Sequence, residues 1–405
     1  MAEHESAWHI RHGFKPLINV SGTMTTLGAS IASPEVIAAT AEAMEHFVVM
    51  HEAQAKASEV IAQATGAEAG CLTASASAGI TLSVAACMTG LDPALVQALP
   101  LDPGPRSEVI VQAGHLCGYG APIEQAVALT GARVKPVGQS TVCSDYQIDG
   151  AIGEKTAAGL YVVSHHVVHY GQCPLARFAE LCHAAGIPVI VDAASEYDLR
   201  GFLQAGADLV IYSAHKFLGG PTAGIIAGRR DLVRAAYLQN IGIGRGMKVG
   251  KEGILGAIAA LEAWGKRDHA AVRAQETQTL LLWMEALAGL IGVTARRVPD
   301  PTGNPLERLQ VEIDSNVLGV EAATVARILS EHNPAIIVRD LEAELGYFQL
   351  DPCNLKDNQA QEVAAVLQEV LKNPSNLTRH PEDIHLAARN GTVAAYMRWG
   401  ATEAE

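Results

Sequence analysis

Short apolar runs separated by helix-length spacers are the feature that most limits how this chain can fold. The runs are rich in β-branched residues and recur at 109–111, 160–163, 189–191, 209–212 and 224–228. The spacers between several of them have helical patterns, and some end in a glycine. Strands that alternate with helices and are apolar along their whole length form mostly parallel sheets with both faces covered. The sequence therefore predicts an α/β fold.

Two of these runs lead into polar residues. Asp192 follows the third run, and Ser213, His215 and Lys216 follow the fourth. Because the carboxyl ends of parallel strands meet at the ligand crevice, these side chains should share one site. Such a set suits pyridoxal 5′-phosphate (PLP): the lysine bonds its aldehyde, the acid holds its ring nitrogen, and the hydroxyl binds its phosphate. The alternatives are a phosphate-binding or surface lysine and, for Asp192, a helix N-cap.

The sequence around the lysine resembles that of fold-type I PLP enzymes. The matching segment is Ser213-x-His-Lys-x-x-Gly-Gly-Pro-x-x-Gly224, with Asp192 upstream. Within these enzymes the chain resembles the branch that contains bacterial selenocysteine synthase and the D-glucosaminate-6-phosphate ammonia-lyase-like proteins, which is similar to class V aminotransferases. Two further matches are Ile18-Asn-Val-Ser-Gly-Thr23 and 242–252. The resemblance covers most of the chain.

The resemblance implies a mostly parallel seven-stranded sheet with helices on both faces, plus a small α+β C-terminal domain. It divides the chain into an N-terminal segment that packs on the small domain or a partner subunit (1–50), a large PLP-binding domain (51–265), a small domain (266–372) and a tail (373–405). A long helical pattern over 254–290 predicts a connector, and Asp-Pro steps in 91–106 predict a loop or insertion. The uncharged stretch 70–91 is interpreted as a core helix, not a membrane span.

A phosphate cradle is expected before one of the helices. Thr73-Ala-Ser-Ala-Ser-Ala-Gly79 precedes a helical run, and a helix N-terminus there offers N–H donors to an anion. The resemblance implies that the cradle residues are Ser75, Ser77, Ala78 and Gly79. Close packing of a turn rich in small residues is the alternative.

Histidines follow two other predicted strands. His115 lies where many fold-type I enzymes stack an aromatic or histidine ring on the coenzyme, and a loop histidine hydrogen-bonded to backbone is the alternative. We expect His165 or His166 to face the coenzyme. No carboxylate nearby in the sequence completes a metal site with these histidines, so no metal is predicted.

Substrate contacts are expected from three matching segments. Arg245, Lys248 and Lys251 form a dense cationic cluster, in a loop that lies near the active site of the resembling enzymes and often reaches into the partner's. A solvated charge run is the alternative. Arg339 ends a predicted small-domain strand, where these enzymes hold the substrate carboxylate with an arginine fork. Thr23 occupies a third substrate position.

Composition bears on partners and compartment. The net charge of −14 would repel nucleic-acid phosphates, and no room is left before the PLP domain for the tRNA-binding module of selenocysteine synthases. Selenium transfer on tRNA is therefore disfavoured. The seven cysteines form no C-x-x-C pair, so we expect reduced thiols in the cytoplasm, with a persulfide-carrying cysteine as the alternative. The polar, acidic N-terminus is no secretory signal.

The predicted function is a PLP-dependent lyase that eliminates ammonia or water from a small anionic amino acid or amino-sugar acid, giving a 2-keto acid. Lys216 would carry the Cα proton, and Asp192 would keep the ring nitrogen protonated. An aminotransferase, racemase, decarboxylase or aldolase uses the same cofactor and is the alternative. A non-catalytic protein is disfavoured because the lysine, the acid and the cradle are all present. We expect a homo-oligomer with shared active sites and neither nucleic-acid nor membrane partners.

Overall fold

The structure is a computed structural model that describes residues 2–356, 358–372 and 384–401. Its internal contacts divide the chain into two units. Unit 1 contains Met1–Gly28, Asp268–Asp300 and Pro305–Glu405, and unit 2 contains Ala29–Arg267 and Pro301–Asn304. Residues 29–50, which we assigned to an N-terminal segment, thus cluster with unit 2.

Strands and helices alternate along most of the chain. The strands are β1 (Leu17–Val20), β2 (Ala69–Thr73), β3 (Glu108–Gln112), β4 (Arg133–Val137), β5 (Thr156–Val162), β6 (Val189–Asp192), β7 (Leu209–Ser213), β8 (Gly224–Gly228), β9 (Val293–Pro299), β10 (Glu307–Ile313), β11 (Ala335–Val338) and β12 (Tyr347–Leu350). The helices are α1 (Ala2–Arg11), α2 (Pro34–Glu45), α3 (Met50–Thr65), α4 (Ala76–Thr89), α5 (Pro93–Ala98), α6 (Ile123–Ala128), α7 (Asp145–Ala151), α8 (Leu175–Ala184), α9 (Gly201–Gln204), α10 (Arg230–Leu238), α11 (Lys251–Lys266), α12 (His269–Leu287), α13 (Ser315–Leu318), α14 (Ala322–Glu331), α15 (Gln359–Lys372) and α16 (Ile384–Arg398). Short 3₁₀ turns include Ala113–His115 and Ile243–Met247.

Unit 2 is built on a seven-stranded sheet with the order β2-β8-β7-β6-β5-β3-β4. Strand β8 is antiparallel to both of its neighbours, and the other pairs are parallel. Along β6, Val189 and Val191 pack into one apolar core and Ile190 packs into another, so both faces of the sheet are covered. The predicted mostly parallel, seven-stranded α/β fold is confirmed.

The uncharged stretch 70–91 is not one helix. Its first residues belong to β2, and α4 begins after a break at which Ser75 Oγ accepts a hydrogen bond from the Ala78 N–H at 3.1 Å. Small apolar residues suit a buried strand and a buried helix equally, so periodicity alone could not separate the two elements. Across the described part of the chain, no helix has both the length and the apolar character needed to span a membrane.

Two other predicted boundaries change for reasons of helix capping. The segment 91–106 contains α5, because Asp92 Oδ1 accepts from the Ala94 N–H at 2.8 Å and Pro93 occupies the first helical turn. The Asp92-Pro93 step thus begins a short helix. The helical pattern over 254–290 is two helices, α11 and α12, and Asp268 caps the second through the Ala271 N–H.

Unit 1 contains a small α+β arrangement, as predicted. Strands β12, β10 and β9 form an antiparallel sheet in that order, and β1 pairs with β11 in parallel. Trp283 of α12 is fully buried, and its indole N–H donates to the Ala360 carbonyl at 2.9 Å. Within the predicted tail the structure describes α16, whereas 373–383 and 402–405 lie outside the described residues.

Candidate active site

Asp192 and Lys216 come from the ends of two adjacent parallel strands. Asp192 is the last residue of β6, where it lies opposite Ile211 of β7, and Lys216 follows the end of β7. The Lys216 Nζ donates a hydrogen bond to Ser195 Oγ at 2.6 Å. Strand order therefore brings the acid and the lysine to one edge of the sheet, as parallel topology requires.

Burial shifts the pKa values of both groups towards their neutral forms. The Asp192 side chain is only 7% exposed, and burial raises its pKa to about 6, against the opposing effects of the Lys216 ammonium and the Ala194 N–H. That N–H donates to Asp192 Oδ1 at 3.2 Å. Burial lowers the pKa of Lys216, although the carboxylates of Asp192 and Glu196 oppose the change. The pair thus combines an amine that loses its proton readily with an acid that lacks full solvation.

Asp192 does not cap a helix. The residues after it form a loop, and the next helix, α9, begins only at Gly201. The alternative role proposed from the sequence is therefore wrong.

The start of α4 uses part of the predicted phosphate cradle for its own structure. Ser75 Oγ accepts from Ala78, and the Gly79 N–H bonds to the Ser75 carbonyl at 2.9 Å. A Cβ at Gly79 would lie 3.0 Å from Ile211, so this glycine allows the helix to pack on the sheet. Ser77 Oγ lies 3.1 Å from Tyr119 Oη. The groups best able to meet an anion are thus the Ser77 hydroxyl and the first N–H groups of α4.

Ser213 and His215 are linked beside the lysine. Ser213 is buried at the end of β7, and its Oγ lies 3.0 Å from His215 Nδ1. Burial lowers the pKa of His215, and the positive charge of Lys216 lowers it further. Since a hydroxyl both donates and accepts, Ser213 keeps the capacity to bond a ligand as well.

His115 is buried, with 2% of its surface exposed. Its Nδ1 accepts from the Val162 N–H at 3.2 Å, and its ring lies edge-to-face with Tyr161 at 4.5 Å. Burial lowers its pKa to about 4, and His169 adds to the shift. This backbone bond is the one that the alternative interpretation of His115 requires, and stacking on a coenzyme ring stays a prediction.

The other two predicted histidines lie beside each other after β5. The His165 and His166 rings are 3.8 Å apart and tilted by 45°, with the first half-buried and the second exposed. That one of them faces the coenzyme stays a prediction.

The cationic cluster divides into two parts. Arg245 and Lys248 are exposed, and neither side chain bonds to any residue that the structure describes. Their loop lies next to the start of α4, because the Ala74 N–H donates to the Met247 carbonyl at 3.0 Å. The Lys251 ammonium instead bonds the carbonyl oxygens that end α2.

Those Lys251 contacts are with the protein itself. The ammonium donates to the Met44 carbonyl at 3.2 Å and to the His46 carbonyl, and it lies 5.6 Å from the Phe47 ring. These bonds support a helix end, which is a favourable place for a cation. The observed contacts of Lys251 therefore do not support a role in substrate binding.

Thr23 and Arg339 lie in unit 1. Arg339 follows β11, is 6% exposed, and forms no side-chain hydrogen bond with the described residues. Burial and the neighbouring Arg308 lower its pKa. Arg308 itself is held by Asp300 at 2.6 Å and Asp351 at 2.8 Å. A buried guanidinium that forms no ion pair within the described part of the chain suits a carboxylate ligand.

Thr23 lies in the loop after β1 and is half-buried. The loop is shaped at Gly22, whose carbonyl accepts from the side-chain amides of Asn19 and Asn354 at 2.9 and 3.1 Å.

Several further residues belong to the site and were not predicted from the sequence. Ser195 bonds Lys216, Glu196 acts on it electrostatically, and Tyr119 bonds Ser77. Cys117 is buried nearby, and burial together with Asp192 raises its pKa to about 11. Their position in the sequence was the available signal: Ser195 and Glu196 lie three and four residues after the strand end at Asp192, where side chains of a parallel sheet meet a ligand.

The residues present fit PLP. A half-buried amine can bond an aldehyde, and a buried carboxylate can accept a hydrogen bond from a protonated ring nitrogen. A hydroxyl beside a helix N-terminus can hold a phosphate. These groups are Lys216, Asp192, Ser77 and Ser213 with the first turn of α4, and all belong to unit 2.

Several known proteins resemble this chain over most of its length. The family described as SelA, L-seryl-tRNA selenium transferase, matches residues 17–332. D-glucosaminate-6-phosphate ammonia lyase of Salmonella typhimurium (strain 14028s / SGSC 2262) is 38% identical over 364 residues, which are 90% of this chain and 98% of that protein. A 5'-C-glycyluridine monooxygenase-decarboxylase of a Streptomyces species is 36% identical over 374 residues, 92% of this chain and 94% of the relative.

A solved structure is similar as well. That structure, described as D-glucosaminate-6-phosphate ammonia-lyase, is 37% identical with a TM-score of 0.82, and the match covers 91% of this chain and 99% of the other.

Proposed function

This chain belongs to the L-seryl-tRNA selenium transferase family of fold-type I PLP enzymes, and on that basis we propose that it is a lyase releasing ammonia from an anionic amino-sugar acid. PLP is its cofactor. The observation that carries the proposal is the half-buried Lys216, which follows the end of β7 and bonds Ser195 at 2.6 Å, while the adjacent strand β6 ends in the buried Asp192. Lys216 and Asp192 could support several PLP reactions. Elimination is favoured among them because the similarity to an ammonia lyase extends over 98% of that enzyme's length.

Each of the chain's groups has a role in this reaction. PLP, when bound, supplies an electron-accepting ring that stabilises the charge left when a bond at Cα breaks. Asp192 would hold the proton of the ring nitrogen, and its ionised form then gains a cationic partner in place of water. Lys216 would take the proton from Cα, with Ser195 fixing the direction of the amine. Ser77, Ser213 and the first turn of α4 would hold the phosphate.

The elimination requires no oxidant, and its atoms and charges balance. In a 2-amino-3-hydroxy acid, Cα loses its proton to Lys216 and the β-hydroxyl leaves as water. One water molecule is then taken up as the amino group departs as ammonia. The product is a 2-keto-3-deoxy acid.

We also propose two anion contacts for the substrate. Arg339 would bind the carboxylate next to Cα through its buried guanidinium, which has no hydrogen bond or ion pair with the residues that the structure describes. Arg245 and Lys248 would bind a second anionic group, either a phosphate or a distal carboxylate. Support comes from their exposure, their lack of bonds to the described residues, and the position of their loop beside α4.

A homo-oligomer with shared active sites is the proposed quaternary structure. The connection between α2 and α3, together with the first residue of α3, presents an exposed apolar run, and Phe47 is fully exposed. The run consists of Phe47, Val48, Val49 and Met50. Contiguous apolar surface of this kind marks interaction sites. The proposed compartment is the cytoplasm, because its reducing conditions keep free cysteine thiols such as those of this chain reduced.

The second candidate function is oxygen-dependent decarboxylation. It rests on the relative from Streptomyces, whose identity to this chain is nearly that of the lyase. In that case the bond from Cα to the carboxylate would break, carbon dioxide would be released, and molecular oxygen would be consumed.

Product analysis separates the two functions. The holoenzyme would be incubated with 2-amino-2-deoxyaldonic acids, each with and without a terminal phosphate, and with simple 3-hydroxy amino acids. We expect equal amounts of ammonia and 2-keto acid, no oxygen uptake, and a preference for the phosphorylated compounds. Carbon dioxide release with oxygen uptake would contradict the lyase proposal and support oxygen-dependent decarboxylation. Lys216→Ala is the control and should form no product.

A further inference from the structure

A short turn far along the chain lies against the lysine site. Residues 301–304, between β9 and β10, belong to unit 2, although the two strands belong to unit 1. Asn304 Oδ1 accepts from the Tyr197 N–H at 2.8 Å, and Thr302 Oγ1 donates to Glu196 Oε2 at 2.8 Å. The Asn304 amide donates to the Thr302 hydroxyl at 3.0 Å. One continuous hydrogen-bond chain therefore runs from the turn to Glu196.

The residues held by this turn are those that flank the lysine. Ser195 accepts from Lys216, and the Tyr197 ring stacks on Phe217 at 5.0 Å with an angle of 22°. Glu196, between Ser195 and Tyr197, is only 3% exposed and interacts electrostatically with Lys216. Three consecutive residues thus line Lys216 and Phe217 on one side.

We propose that Thr302 and Asn304 are positioning residues for Lys216: they hold the Glu196 carboxylate so that its negative charge stays beside the lysine nitrogen. A hydroxyl that donates to a carboxylate favours its ionised form, and the Asn304 amide fixes that hydroxyl in turn. A buried negative charge near the lysine nitrogen favours the protonated state of that nitrogen, so the turn helps to set its basicity. This inference deepens the proposed function and rests on it.

The groups that interact with the lysine nitrogen come from three places in unit 2. Asp192 lies at the end of β6, Glu196 lies in the loop after it, and His215 precedes the lysine. Glu196 also acts on Tyr212 of β7. The Glu196 contribution should depend on Thr302, because the Thr302 hydroxyl donates to the Glu196 carboxylate.

The test is a spectral titration of the holoenzyme. The near-visible absorbance of PLP bonded to Lys216 reports the protonation of the lysine nitrogen, without any turnover. Glu196→Gln should lower the midpoint of this titration by about one pH unit, because it removes a negative charge from a buried site. Thr302→Val, similar in shape but lacking the hydroxyl, should lower the midpoint in the same direction by less. Thr302→Ser should restore the native midpoint.

A double variant shows whether the threonine acts through the glutamate. If it does, Thr302→Val combined with Glu196→Gln should titrate like Glu196→Gln alone, because coupled residues are not additive. Thr277→Val is the matched control, since that threonine donates only within its own helix, to the Arg273 carbonyl at 2.8 Å. Its midpoint should be native. Thr302→Ala replaces Thr302→Val if the latter does not fold.

The outcomes also separate this inference from the function itself. A folded, PLP-bound Thr302→Val or Thr302→Ala protein with the native midpoint would overturn the positioning role, as would an equal shift in Thr277→Val. If the native chain binds PLP and shows the expected shifts but releases no ammonia, the lyase proposal fails and the positioning role stands. If it binds no PLP, both fail.

Discussion

Asp192→Asn should make the coenzyme-free protein more stable and the enzyme far less active. The pKa of Asp192 is raised by burial from 3.8 to about 6. The raised pKa means that the folded chain binds this proton more tightly than the unfolded chain does. The protonated carboxyl therefore favours folding fully below about pH 4, and this contribution is lost as the pH rises through about 6. At pH 7 the cost of keeping it ionised is about 3 kcal/mol. Asparagine, which carries no charge, removes that cost.

The same substitution removes the charge that holds the coenzyme's ring nitrogen. Because an amide does not stabilise a protonated ring as a carboxylate does, turnover should fall about 100-fold or more. Denaturant unfolding of the coenzyme-free protein measures the first effect, and steady-state kinetics of the PLP-loaded protein measures the second. The stability gain should be largest above pH 6 and should shrink as the pH falls towards 4.

Two results would refute this reasoning. A coenzyme-free Asp192→Asn protein that is no more stable than the native chain at pH 7 would mean that the carboxyl is well solvated or paired. A variant with near-native turnover would mean that Asp192 does not serve the coenzyme. Asp198→Asn is a suitable control, because Asp198 is exposed and bonds the loop N–H groups of Arg200 and Gly201 instead.

The remaining predictions concern the lysine, the basic loop and the oligomer. Borohydride should fix PLP on the peptide that contains Lys216, and a label on any other lysine would end the assignment. Lys248→Ala should raise the KM for the anionic substrate about tenfold or more with little change in PLP affinity, whereas Lys251→Ala should lower stability and leave KM nearly native; the reverse pattern would contradict the division of the cluster. Phe47→Asp should shift the oligomer towards monomer in sedimentation, and an unchanged mass would place the interface elsewhere. At a substrate concentration well below the raised KM, mixed Lys216→Ala and Lys248→Ala subunits should be more active than the two variants measured separately if sites are shared, and no gain after proven subunit exchange would place the loop in its own subunit's site.

The sequence was sufficient for the elements that obey general rules. The central sheet followed from apolar runs with helical spacers, and the meeting of Asp192 and Lys216 followed from the common edge of parallel strands. Both are consequences of backbone topology, which does not depend on the detailed conformation of a loop.

The contacts that could not be predicted from the sequence are made by loops and by long, flexible side chains. Ser195 reaches Lys216 only because the chain after Asp192 turns as a loop, and a run of Ala, Ser and Glu favours a helix equally well. Lys251 lies in a run of basic residues, yet its flexible stem reaches two backbone carbonyls. The link from Thr302 to Glu196 joins residues about 100 positions apart, which no local pattern contains.

The pairing of β1 with β11 has a consequence for how the protein is made. Strand β1 leaves the ribosome well before its hydrogen-bond partner, which is synthesised about 300 residues later. Until then its backbone groups have no strand to pair with, while the whole of unit 2 is synthesised between them. Long-range pairing of this kind slows folding and leaves an exposed strand edge open to other chains. The unpaired β1 segment of the nascent chain is therefore a site where a chaperone has reason to bind.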